Sequence, residues 1–157
     1  MALEMVDEPR RRAVEELHGY YIEDLTPGMT ALYARTVTDA DIVLFAGISG
    51  DFNPVHLNHE FASSTMFEGR IAHGMLTASF ISTVLGTKLP GPGCVYLSQS
   101  LRFKAPVRSG DTVNARVTVV DVVPDKGRVV LQTVCMVSGE IVLEGEAQVI
   151  VPARAAA

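Results

Sequence analysis

The sequence predicts an α+β fold in which an antiparallel sheet wraps around one long, buried helix. Three observations carry that expectation. Residues 72–86, AHGMLTASFISTVLG, are apolar on nearly every face and hold only small hydroxyls as polar groups, the pattern of an enclosed helix. From Cys94 onward the hydrophobic period changes to two, the mark of half-buried strands. The 157 residues are the length of one domain, and 48% hydrophobic against 20% charged residues supplies its core.

The elements follow in order. Residues 1–20 read as an N-terminal extension and 21–157 as the domain proper. Arg10 to Arg12 are expected on a solvated turn of helix, balanced by Glu15 and Glu16, rather than in an anion-binding patch. Gly28 to Val37 reads as a strand. Thr38 then opens TDADIVLFAGISG, with Asp41 placed to complete a capping box. Ile42, Phe45 and Ala46 repeat at helical spacing and give one buried face. Gly47 and Gly50 bracket the exit, which leaves GDFNPVH in irregular backbone. Asn58 is a cap for a second short helix, HEFASSTMF.

The turn-rich LPGPG, 89–93, ends the long helix. CVYLSQSLRF, DTVNARVTVVDV, GRVVLQTVCMV and EIVLEGEAQVIV read as four strands, with VPDKGR and SGE as hairpin connections. A single copy of such a sheet leaves an edge strand, which favours pairing with a second subunit.

Composition narrows the function classes. A net charge of −5 argues against a nucleic-acid partner. The first twenty residues hold no apolar run of a secretory signal, and no stretch approaches the roughly 18 apolar residues of a membrane span. Cys94 and Cys135 lie in strand-like runs without metal-ligand spacing, as reduced core residues of a cytoplasmic protein do.

Two features go beyond packing. Asp51, Asn53 and His56 crowd into six residues, and His73-Gly74 begins the buried helix. Adding water across a double bond beside a thioester needs a group to take a proton from water, a proton for the α-carbon, and a donor for the developing enolate. A carboxylate and an imidazole can share the first two tasks. A helix N-terminal N–H can supply the third, and Gly74 has no side chain to obstruct it. Asn53 suits a supporting role through its amide. The same residues also fit a helix exit with local side-chain bonds and a partly buried histidine. His73 reads as a residue holding the helix start rather than a proton carrier, and His18 and His59 as surface residues. Arg102, Lys104 and Arg108 read as solvated charges, with an anionic ligand as the alternative.

The run SGDFNPVHLNHEFASSTMFEGRIAHGMLTASFIS resembles the MaoC-like, (R)-specific enoyl-CoA hydratases, and YLSQSLRFKAPVRSGDTVNARVTV continues the resemblance. It spans roughly residues 25–152 and leaves the first twenty uncovered. It implies a hot-dog fold working as a homodimer or higher homo-oligomer. It implies reversible syn hydration of a trans-2-enoyl-CoA to the (R)-3-hydroxyacyl-CoA. Asp51 and His56 become the catalytic pair, the Gly74 amide the oxyanion contact, and Asn53 a supporting residue. Ser82, with Leu85, falls where such hydratases line the acyl pocket. No organic or metal cofactor is implied, because coenzyme A belongs to the substrate. Crotonyl-CoA and 3-hydroxybutyryl-CoA are the expected pair, in polyester synthesis, fatty-acid oxidation or carbon assimilation. A hot-dog acyl-CoA thioesterase is an alternative, but such enzymes commonly carry an acid on the central helix, and residues 74–86 contain none. A non-catalytic acyl-CoA-binding subunit is another.

Overall fold

The computed structural model describes residues 2–154. Helix α1 (Ala2–Leu17) leads to a six-stranded sheet and four further helices. Those helices are α2 (Asp39–Ser49), α3 (Pro54–Leu57), α4 (His59–Ser63) and α5 (Gly74–Thr87). The strands are β1 (Thr30–Thr36), β2 (Val95–Gln99), β3 (Arg102–Phe103), β4 (Thr112–Val123), β5 (Arg128–Val137) and β6 (Glu140–Ile150). Every pairing is antiparallel, in the order β1-β4-β5-β6-β2, with β3 also on β6.

The alternation in the sequence is the alternation in the sheet. Val113, Ala115, Val117 and Val119 of β4 are buried, as are Val129, Leu131, Thr133 and Cys135 of β5. These side chains meet α5, which packs against β1, β4 and β5. Tyr33 and Phe80 touch edge to face at 5.8 Å between centroids. Leu76, Thr77, Phe80, Ile81, Val84 and Leu85 form the buried face of the helix.

The helix differs from expectation on its other side. Met75, Ser79 and Ser82 are exposed, because the sheet covers only one side of α5. The hydroxyls of Ser79, Thr83 and Thr87 donate to carbonyls one turn back, at Leu76, Ser79 and Thr83. This internal satisfaction makes a half-covered helix look apolar all round.

The stretch CVYLSQSLRF is two strands, not one. The chain breaks at Ser100, whose carbonyl passes so close over β6 that a Cβ at Gly145 would run into it. In β6, Leu143 pairs with Cys135 and Ile141 with Met136, so Val142 is a bulge. Its freed carbonyl accepts from the Lys104 amide at 2.9 Å, which steers the segment after β3.

Residues 8–17 of α1 are exposed throughout, with Arg12 and Glu16 paired at 3.1 Å as the charge pattern predicts. The body begins where Gly19 and Tyr20 donate to the carbonyls of Pro92 and Pro90, each at 2.8 Å. His18 is not the surface residue expected. It is half-buried and stacked on Tyr21 at 4.1 Å. Among the described residues no helix is long and apolar enough to cross a membrane.

Candidate active site

The chain reaches the site through a series of short caps. The Thr38 hydroxyl accepts from the Asp41 amide, and Asp41 answers to the Thr38 amide, so α2 opens with the capping box the sequence predicts. Gly50 ends that helix with φ 76°, in the left-handed region that favours glycine. Asp51 Oδ1 then accepts from the Asn53 amide at 3.1 Å, and Asn53 Oδ1 from the Val55 amide at 3.1 Å.

Residues 54–57 are therefore not irregular backbone, as expected, but a single helical turn. Asn53 is its cap and Pro54 its first residue, where the missing N–H costs nothing. Asn58 in turn caps α4, which stops at Ser63, well short of the stretch HEFASSTMF. Asn53 thus acts on the backbone that carries Asp51 and His56.

The turn brings Asp51 and His56 together. His56 Nε2 lies 3.8 Å from Asp51 Oδ2, with the carboxylate side chain 52% exposed and the imidazole 9%. The other imidazole nitrogen, Nδ1, is 2.8 Å from the carbonyl oxygen of Ile71. A carbonyl can only accept, so Nδ1 holds the proton and Nε2 presents its lone pair toward Asp51. Burial pushes the His56 pKa below the ordinary imidazole value, and His73 lowers it further. The Ile71 carbonyl and the Asp51 carboxylate act in the opposite direction but do not outweigh burial. The ring is accordingly neutral at pH 7.

Behind this pair stands His73, only 2% exposed. Its ring stacks on His56 at 3.8 Å, and its Nε2 is 2.9 Å from the Asp51 carbonyl oxygen. Gly74 follows as the first residue of α5, so its N–H has no intrahelical acceptor and lies at the positive end of the helix dipole. A Cβ on Gly74 would meet Phe103 Cε1 at 2.6 Å, so the missing side chain is what lets that ring lie against the helix start.

A cavity of about 530 Å³ opens beside Gly74. Its walls are mostly apolar, including Ile71, Met75, Phe103, Val107 and Leu143, with Lys104 among the few polar groups. Asp51 and His56 are not among the residues that line it. Ser82 does not line it either. It is exposed on the outer face of α5, two turns from Gly74.

Arg108 is partly buried rather than a fully solvated charge. Its guanidinium donates to the carbonyls of Phe67 and Arg70, and so ties down the loop between α4 and α5. Sequence spacing holds no signal for these main-chain acceptors. Lys104 pairs with Glu144 at 3.0 Å, while Arg102 and His59 are exposed.

Asp51, His56 and His73 each offer one possible ligand atom within 4.8 Å of the others. Each imidazole directs one nitrogen at a carbonyl, which leaves His56 Nε2 and His73 Nδ1 as the ring atoms the cluster can offer to a proton or a metal ion.

A sheet curled around one helix, with a carboxylate and an imidazole brought together near its start, defines a hot-dog protein. The chain belongs to the MaoC-like domain family, whose model matches residues 25–145. It is 56% identical to an (R)-specific enoyl-CoA hydratase of Rhodospirillum rubrum over 90% of this chain and 99% of the relative. It is 50% identical to a 3-hydroxybutyryl-CoA dehydratase of Methylorubrum extorquens, over 88% of each chain. Among solved structures it resembles the unliganded R-hydratase PhaJ1 of Pseudomonas aeruginosa, with TM-score 0.82 and 41% identity over 87% of this chain and 88% of that one.

Proposed function

We propose that this protein is an enzyme that reversibly hydrates trans-2-enoyl-CoA to (R)-3-hydroxyacyl-CoA, with crotonyl-CoA as the preferred enoyl substrate. The observation that carries the reading is the 3.8 Å gap between His56 Nε2 and Asp51 Oδ2, beside the start of an acid-free helix. The gap is too long for a direct hydrogen bond and suits a bridging water that donates to both. The short-chain substrate is supported by the dehydratase name of the 50% identical relative.

The chemistry follows from the tautomer. The Gly74 N–H receives the thioester oxygen, which withdraws electrons from the β-carbon. Water oxygen bonds to the β-carbon while His56 Nε2 takes one of its protons. The electron pair of the double bond moves onto the thioester as an enolate. The imidazolium then returns its proton to the α-carbon on the same face, which gives syn addition and restores neutral His56. Asp51 stays ionised, orients the water and stabilises the imidazolium. The proton is borrowed and returned, so no cofactor or metal takes part. Activity is expected to survive exhaustive treatment with a chelator.

The enzyme works as a homodimer in the cytoplasm. The free edge of β2 supports this assembly: Val95 is 56% exposed and Leu97 46%, an apolar strand of the kind proteins pair or cover.

The decisive assay follows enoyl absorbance with crotonyl-CoA in the presence of a thiol reagent. Loss of absorbance without free thiol supports hydration. Release of CoA with the double bond intact would turn the assignment to a thioesterase.

A further inference from the structure

His73 is not one of the groups that move the proton, yet it touches both of them. It occupies the cap position of α5 but makes no side-chain capping bond. Thr38, Asn53 and Asn58, the caps of α2, α3 and α4, all make one. A helix start alone favours Ser, Thr, Asp or Asn, so the imidazole answers to something else.

Its contacts say what. The acceptor at Nε2 is the carbonyl of Asp51, twenty-two residues earlier, so Nε2 carries the proton. One face of the ring stacks on His56 with planes 29° apart, and Phe45 lies 4.9 Å from it, centroid to centroid. Nδ1 is left buried, with no hydrogen-bond partner among the described residues. An unpaired buried acceptor is unfavourable, and its retention calls for a compensating role.

Asp51 needs such an anchor. It follows a left-handed glycine, and its other hydrogen bonds, to Ser49 and Asn53, stay within two residues. Bonds of that range shape a loop but do not fix it against the body. The His73 contact does, and its next residue is Gly74.

We propose that His73 is a positioning residue: its Nε2–H holds the Asp51 main chain so that the carboxylate stays in register with His56 and with the Gly74 amide. The kinetic part of this inference rests on the hydratase reading; the tautomer does not.

Histidine-selective 15N NMR of the unmodified protein tests the bond directly. At neutral pH His73 is expected as the Nε2–H tautomer and His56 as the Nδ1–H tautomer. His73 as the Nδ1–H form overturns the proposal, because Nε2 then has no proton to donate. Two variants then separate positioning from packing. His73→Phe keeps a flat ring against His56 but has no donor, while His73→Gln keeps a donor of similar reach. Loss of positioning predicts that His73→Phe lowers kcat for crotonyl-CoA roughly ten- to a hundredfold, with KM within about twofold. His73→Gln should recover most of that loss. Equal loss in both variants, or wild-type kcat in His73→Phe, refutes the role. If His73→Phe does not fold, the tautomer measurement decides. A wild-type protein without hydratase activity would remove the functional reading, and the NMR result would still judge the bond.

Discussion

Two clusters in this chain use nearly the same residues to opposite ends. At the base of α1, His18 stacks on Tyr21, Asp24 lies three residues on, and Arg154 covers the Tyr21 ring at 4.9 Å. In the loop before α5, His56 stacks on His73 and Asp51 lies five residues back. The Asp24 carboxylate is fully engaged: Arg154 reaches both oxygens at 2.8 Å, and the Tyr21 amide donates at 3.0 Å. The guanidinium holds the Asp24 carboxyl below the usual carboxylate range. Asp51 instead faces a neutral imidazole across a gap, with one oxygen uncommitted to backbone. One cluster is a clamp because both carboxylate oxygens are held by charged or backbone donors. The other can react because Asp51 Oδ2 and His56 Nε2 are not so held.

The largest break in that contrast comes from the open lone pairs themselves. Asp51→Asn and His56→Ala are each expected to lower kcat at least about a hundredfold. The double variant should lose less than the two separate losses combined, since the groups act as a unit. Asp51 is half exposed and its amide counterpart can still accept from Asn53, so Asp51→Asn should unfold at the wild-type temperature. A hydration assay alongside thermal melts checks both statements; a fully active Asp51→Asn would end the acid–base account.

A smaller effect is expected at Gly74. Alanine there forces the Phe103 ring away and disturbs the helix start that presents the N–H, at a cost of roughly tenfold in kcat. Phe103→Leu in the same chain makes room for the added methyl, so the pair should recover activity lost by Gly74→Ala alone. Failure of that rescue would mean that the backbone, not the ring, suffers from the extra carbon.

The pH profile sharpens the comparison without a large change in rate. Because burial lowers the His56 pKa, the acid limb of kcat/KM should fall below the ordinary imidazole value of about 6.5. The Asp51 charge is one of the influences that raise that pKa, so in Asp51→Asn the limb should move further toward acid. The same depression makes His56 a source of acid lability: folding stability declines as pH drops from the unfolded imidazole value through the folded one. An acid limb above 6.5 would contradict the buried, neutral base.

Much of this was legible before any coordinates. The period-two runs gave β4 and β5 almost residue by residue, because one face of each is buried against α5. Asp51, His56 and Gly74 could be singled out because acid–base chemistry and an open helix start need those residue types. What stayed hidden were contacts to main-chain atoms. The carbonyls of Ile71 and Asp51 fix the two imidazole tautomers, and those of Phe67 and Arg70 hold Arg108, yet a carbonyl is the same in every residue. The outer face of α5 was misread for a related reason: hydroxyls bonded to their own helix carry no sequence mark of exposure.

The smallest effect is expected where the valences are spent. Arg154→Ala removes both bonds to Asp24 and the cover over Tyr21, but all these groups reach solvent, and exposed pairs contribute little to stability. His18 and Tyr21 keep their stack, and Gly19 and Tyr20 keep their bonds to the 90–92 turn. Arg154→Ala should therefore leave kcat and KM for crotonyl-CoA unchanged and lower the melting temperature only slightly. Raising the salt concentration in the wild-type protein should reproduce most of that small shift, since screening weakens an exposed pair. A drop in kcat would mean that the clamp communicates with the site, and the sharp division between the two clusters would have to be abandoned.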